Sequence, residues 1–173
     1  MSSSRVEPTP YTVQIVIDCA EPHPLADWWS EALGWQVEPQ DPDFIRSMVD
    51  QGFATDEQTT THKGALVWAT GAAINHPSGA DRAPRILFMQ VPEPKTVKNR
   101  VHLDLRSAAE PSLAERDRLV ALGATEVGHG QEGPTTAWVV LTDPEGSGLI
   151  VRPTDPGAGS RRATASQELV RSV

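Results

Sequence analysis

Apolar and polar positions alternate along this chain with two periods, and the periods change over in the same order twice. In "YTVQIVIDC" the period is two, which puts Val13, Ile15 and Ile17 on one face of a strand and Gln14, Val16 and Asp18 on the other. "PLADWWSEALG" then switches to helical spacing. Leu25, Trp28, Trp29, Ala32 and Leu33 form the stripe, Pro24 sits near the first helical position and Gly34 is the stop. "WQVEP" reads as a second strand, "DFIRSMVDQG" as a partly helical acidic stretch, and "GALVWAT" and "PRILFMQVP" as two further strands.

The second half repeats this order. "RVHLDLR" is strand-like, "SLAERDRLVALG" is a helix ending in Leu122-Gly123 as the first ends in Leu33-Gly34, and "ATEVG", "TAWVVLTD" and "SGLIVRP" are three strands. "DPEG", Asp143 to Gly146, has the Pro and Gly of a tight turn between the last two. A shift of 88 residues lays Val13, Ile15 and Ile17 on Val101, Leu103 and Leu105. The other faces then coincide as well, with Gln14 on His102, Val16 on Asp104 and Asp18 on Arg106. Gln14 and His102 are thus expected to be pseudo-symmetric partners on a polar face, lining a cavity between the halves. The expected organisation is an N-terminal tail over 1–10, a first module over 11–92, a linker over 93–99, a second module over 100–153 and a C-terminal tail over 154–173. Both tails are rich in small and polar residues and are expected to be disordered.

A chain of 173 residues is long enough to bury roughly 70% of its unfolded surface, so no disulfide or structural metal is required for folding. Its single cysteine, Cys19, lies in an aliphatic run and reads as a buried reduced thiol, which fits a cytoplasmic protein. No run approaches the ~20 apolar residues of a membrane span, and "MSSSRVEPTP" has no hydrophobic region like that of a signal peptide. With 15 Lys and Arg against 23 Asp and Glu, the formal charge of −8 argues against nucleic acid and anionic membrane as partners.

From Tyr11 to Pro153 the chain resembles the vicinal oxygen chelate superfamily, which includes glyoxalase I, the extradiol dioxygenases and the bleomycin resistance proteins. The resemblance is carried by "VQIVIDCAEPHPLADWWSEALGW", by "NRVHLDL" opening the second module and by "WVVLTDPEGSGLIV" at its end. "VPEPKTVKNRVHLDL" is similar to the glyoxalase-like domain proteins in particular. The resemblance implies an α+β fold of two paired βαβββ modules forming a curved, open mixed sheet around a cavity. It also implies a homodimer, and a small organic ligand as partner.

In metal-using members each module supplies one ligand from its first strand and one from its last. Carried onto this chain, the first-strand positions are Gln14 and His102, and the last-strand position of module two is Ile150, which has no electron pair to donate. In module one, counting back from Pro92 and Pro153 matches Met89 to Ile150, whereas face polarity turns Gln90 toward the cavity. Both alternatives stand at the level of sequence. If a divalent ion binds, its ligands are Gln14, Gln90 and His102, and no cofactor is otherwise expected.

The leading expectation is a cavity that binds its ligand without a metal. Gln14, Gln90, His102 and Asp104 would supply polar contacts, and Val16, Trp68, Met89, Trp138 and Ile150 apolar walls. The alternative is a metal-dependent lyase, isomerase or dioxygenase. A third reading makes His102 a general acid/base tuned by Asp104. "GHGQEG", Gly128 to Gly133, has the spacing of a dinucleotide fingerprint, but Pro134 and a strand follow where a helix is needed, so a Gly-rich loop is expected. His23, His62 and His76 share no ligand-like spacing and are expected to face solvent, and either Trp28 or Trp29 is expected at an interface.

Overall fold

The computed structural model describes residues 11–107, 113–132 and 136–153, so both expected tails lie outside the described residues. The chain divides between Gln90 and Val91 into two compact units.

In the first unit β1 (Ile15–Cys19) leads into helix α1 (Pro22–Leu33) and the short β2 (Gln36–Val37). Pro22 and Pro24 are tolerated in the first turn because its N–H groups have no helical partners. Gly34 ends the helix with φ of 66°, a left-handed conformation that costs glycine least. Then come α2 (Pro42–Asp50), a single 3₁₀ turn, β3 (Thr59–His62), β4 (Ala65–Trp68), β5 (Gly71–Asn75) and β6 (Ile86–Gln90). Four of these strands form a mixed sheet in the order β1-β6-β5-β2, with β1 and β6 parallel. β3 and β4 make a separate ribbon. Lys63 and Gly64 at its tip both have positive φ, which matches the tight turns favoured between twisted antiparallel strands.

Two expectations change here. "GALVWAT" is a ribbon strand, and the third strand of the sheet is Gly71–Asn75, whose small residues give a weak apolar signal. Val13 and Val101 both precede their strands and are exposed, so the core faces begin at Ile15 and Leu103.

The core of unit one lies between α1 and one face of the sheet. Trp29, Ile74, Ile86 and Phe88 are almost wholly inaccessible there. Trp28 and Trp29 are both buried and meet edge to face at 5.2 Å. Cys19 is buried as its aliphatic setting implies, with Sγ 3.4 Å from the Met89 carbonyl oxygen.

The solvent-facing assignment of the histidines is corrected. His23 is buried on α1, and its Nε2 lies 2.9 Å from the Trp68 carbonyl oxygen. His62, on β3, stacks on His23 at 5.0 Å and places Nε2 2.8 Å from Asp27 Oδ2. Lys63 Nζ reaches the same oxygen at 2.7 Å. Burial opposes ionisation of Asp27, but the hydrogen bonds from Lys63 and His62 outweigh it and hold the carboxyl below its ordinary value. This cluster pins the ribbon to α1. His76 meets Trp35 edge-on at 5.5 Å, and its Nδ1 accepts from the Ser78 amide.

The second unit has the same topology without the insertion. Its elements are β7 (Leu103–Ser107), α3 (Leu113–Ala121), β8 (Thr125–Glu132), β9 (Thr136–Thr142) and β10 (Gly148–Pro153). The sheet order is β7-β10-β9-β8, again with first and last strands parallel. Leu119, Leu141 and Leu149 are fully buried. The buried Asp143 holds the β9–β10 turn, its Oδ1 accepting from the amides of Glu145 and Ser147. "GHGQEG" begins inside β8, so the expected loop is a strand through Glu132, and Gly133 lies outside the described residues.

Candidate functional site

The polar faces of the two sheets differ in chemistry, and strand pairing fixes which residues each presents. In unit two Ile150 pairs with Asp104 on β7 and with Val140 on β9. Paired residues share a face, and residues two apart along a strand return to it. His102, Asp104, Trp138, Val140, Ile150 and Arg152 therefore occupy one face. His102 Nδ1 lies 2.9 Å from Asp104 Oδ1, and the other Asp104 oxygen accepts from Arg152 Nη2. The three side chains form a chain along the sheet, with His102 at one end and Arg152 at the other. His102, Val140 and Ile150 line a recess of about 10 Å³, the space of a single water molecule. Trp138 rests its indole against Gly130 on β8, where a Cβ would overlap the ring. His129 pairs with Val139 and points from the opposite face, exposed.

In unit one Val16 pairs with Leu87 and Asp18 with Met89, so Gln14, Val16, Asp18, Arg85, Leu87 and Met89 share a face. Met89 thus shares the face of Gln14, and Gln90 does not. Gln90 lies on the parity of the buried Ile86 and Phe88, and its Nε2 donates to the Ala20 carbonyl at 3.2 Å. One correction follows from the register. Under the 88-residue repeat the counterpart of Ile150 is Leu87, with Met89 one step further along the same face.

Arg85 organises this face. Its Nε donates to Glu38 Oε2 at 2.5 Å and its Nη1 to Gln14 Oε1 at 2.7 Å, while Asn75 Nδ2 donates to the same Glu38 oxygen at 3.1 Å. The Arg85 hydrogen bond, opposed by burial and reinforced by Asn75, holds the Glu38 carboxyl below its ordinary value. Gln40 bridges the break between β4 and β5, accepting from the Trp68 amide at 2.7 Å and donating to the Gly71 carbonyl at 3.0 Å. Asp41 caps α2 by accepting from the amides of Asp43 and Phe44. Between the sheet, α2 and the ribbon lies a cavity of about 380 Å³, walled by Phe44, Ile45, Trp68 and Leu87 with Glu38 and Arg85 at its edge.

Within unit one, Trp68 and Arg85 line this cavity and Arg85 holds Gln14; within unit two, His102, Asp104, Trp138 and Ile150 share a face. Sequence reasoning missed Glu38, Phe44, Arg85 and Arg152. Arg85 and Arg152 were within reach, because they share the parity of Leu87 and Ile150 in their strands.

A divalent ion, which the resemblance implies for metal-using relatives, does not fit these donors. The Gln14 carbonyl oxygen is spent on Arg85, and a guanidinium already occupies Asp104 where a cation would approach. Leu87, Met89 and Ile150 present hydrocarbon or thioether, and Gln14 and Gln90 lie on opposite faces of one sheet. Among the described residues no group of three or more His, Cys, Asp and Glu converges as a metal site would require.

The family model described as "Glyoxalase-like domain" matches residues 14–151. No curated protein matches the sequence. Among solved structures, a hypothetical protein from S. aureus superposes with a TM-score of 0.55 at 10% identity, covering 85% of this chain and 96% of its own. A glyoxalase-related enzyme from Fulvimarina pelagi gives 0.51 at 12% identity, covering 83% and 89%. A fosfomycin resistance protein, FosX, from Listeria monocytogenes, complexed with Mn(II) and a dihydroxypropylphosphonic acid, gives 0.55 at 8% identity, covering 87% and 96%. At such identities the likeness is one of fold.

Proposed function

The chain belongs to the glyoxalase-like domain family of the vicinal oxygen chelate superfamily, and from that premise we propose that it binds a small organic molecule without recruiting a divalent ion. The observation that carries the reading is the Arg152 guanidinium on Asp104, paired across the sheet with Ile150, the residue to which the resemblance assigns a ligand position. A fixed cation there repels a second cation and consumes the carboxylate lone pairs that would bind it. In this reading His102 and Asp104 contribute polar contacts, as does Gln14 through Arg85. Val16, Trp68, Met89, Trp138 and Ile150 contribute apolar ones. Gln90 is withdrawn from the set, since it belongs to the opposite face.

Elemental analysis and calorimetric titration with Mn²⁺, Zn²⁺ and Ni²⁺ test the proposal. Purified protein is expected to carry well under one equivalent of any divalent ion and to show no saturable heat with any of the three. A stoichiometric ion that is lost in His102→Ala would overturn it and restore the metal-dependent lyase, isomerase or dioxygenase.

A second reading is favoured by the 2.9 Å His102–Asp104 contact, which would fix the ring with Nε2 outward as a general acid/base in a metal-free reaction. Its signature is His102→Ala abolishing turnover while sparing ligand binding. The family resemblance further leads us to a homodimer, and the single buried thiol, Cys19, to a cytoplasmic protein. Light scattering would then return twice the 18.7 kDa chain mass. No helix among the described residues is long and apolar enough to cross a membrane.

A further inference from the structure

The two units have the same strand order but differ at one connection. In unit two β8 passes to β9 through residues 133–135, whereas in unit one residues 38–70 intervene between β2 and β5 and carry both α2 and the β3–β4 ribbon. That insertion builds the 380 Å³ cavity of unit one, since Phe44, Ile45 and Trp68 all come from it. The volume lies within the roughly 300–1,000 Å³ typical of small-molecule sites.

The cavity, termed the slot, lies over β5. Gly71 and Ala73 of β5 lie on its sheet side, and Leu87 and Trp68 also line it. Phe44 is 53% exposed although the next residue, Ile45, is buried to 1%. Phe44 is thus an aromatic ring on the lining whose exposed apolar surface a ligand in the cavity would cover.

The polar edge of the slot sets the ligand's charge. Arg85 spends Nε and Nη1 on Glu38 and Gln14, which leaves Nη2 as a donor with no described partner. Glu38 uses Oε2 for Arg85 and Asn75, which leaves Oε1 as an acceptor with no described partner. One donor and one acceptor therefore stand side by side. Asp41, also on the lining, adds a second negative charge against the single positive charge of Arg85, so the edge is unfavourable to anions.

We infer that the slot of unit one binds an uncharged planar aromatic molecule with a hydrogen-bond donor and acceptor adjacent on one edge, as in an aryl carboxamide. The inference rests on the metal-independent small-molecule reading above and adds to it the place and the chemical class.

The test uses the full chain and two isosteric probes, naphthalene carboxamide and naphthalene carboxylate, in isothermal titration calorimetry with and without EDTA. The carboxamide is expected to bind saturably at one site, and the carboxylate about tenfold or more weakly. Ala73→Leu, which adds bulk to the lining, should abolish carboxamide binding. Phe44→Ala, at an exposed helical position where folding is not at stake, should weaken it several-fold, and His129→Ala, on an exposed strand face of unit two, should leave it unchanged. Absence of saturable binding by the carboxamide, equal binding of the two probes, or indifference to both Ala73→Leu and Phe44→Ala overturns the slot assignment while the metal titration still stands. Binding that EDTA removes overturns the metal-independent reading, and this inference with it.

Discussion

Gly130→Ala tests whether the contact between Trp138 and β8 is as close as the structure has it. An ideal Cβ at Gly130 would lie 2.7 Å from Trp138 Nε1 and closer still to Cε2 and Cζ2. Comfortable carbon contacts begin near 3.5 Å, so the overlap is roughly 1 Å and falls on a rigid ring. The indole must swing off the strand or the two strands must part. Overpacking of this kind costs about 1–3 kcal/mol, while replacing glycine recovers about 0.4–1 kcal/mol through the unfolded chain. The net expectation is a loss of about 1–2 kcal/mol.

Urea unfolding of wild type, Gly130→Ala, Trp138→Val and the double variant closes a thermodynamic cycle that isolates the contact. With the ring gone, Gly130→Ala should be neutral or stabilising, because only the chain-entropy gain remains. An equal penalty in both backgrounds, or a stabilised single variant, would refute the reasoning. The ring that moves is the apolar wall proposed beside His102, so the same variant should also change ligand affinity if that face is used.

The remaining predictions concern charge. Asp27, held below its ordinary value of 3.8, contributes stability that is fully present above that value and is lost as pH falls through the lower folded one. Asp27→Asn should accordingly be destabilised by about 1 kcal/mol at neutral pH, with the gap closing below pH ~4. Thermal melts across that range check it, and a gap that persists at low pH would count against the ribbon latch. Arg152→Met combined with Ile150→Glu frees Asp104 and adds a carboxylate beside it. Calorimetry should then show zinc affinity at least about tenfold above wild type. No gain would mean that Arg152 and Ile150 are not what excludes a metal.

Much of the fold is legible from spacing. The switch from period two to helical spacing located all three described helices, and the 88-residue repeat brought out the shared topology of the two units. The ribbon strand β3 and the sheet strand β5 escaped because "TTTH" and "GAAIN" carry too little apolar contrast to declare a period. Of the candidate residues, His102, Asp104 and Ile150 share one face as their alternation requires. The Met89/Gln90 choice was closed to sequence, because a slip of one residue turns every side chain of a strand over. Only the pairing of β1 with β6 fixes it.

The sequence by itself determined where the chain bends and which stripe of each element is apolar. Those properties depend on neighbours one to four residues away, and local periodicity encodes them fully. Tertiary structure alone decided that Gln14 is held by Arg85, 71 residues distant, and Asp104 by Arg152, 48 residues distant. It alone put the insertion over the sheet to make a slot. A polar side chain becomes a ligand or a strut according to which charge the fold brings beside it, and proximity between strands distant in sequence leaves no period along the chain for a reader to find.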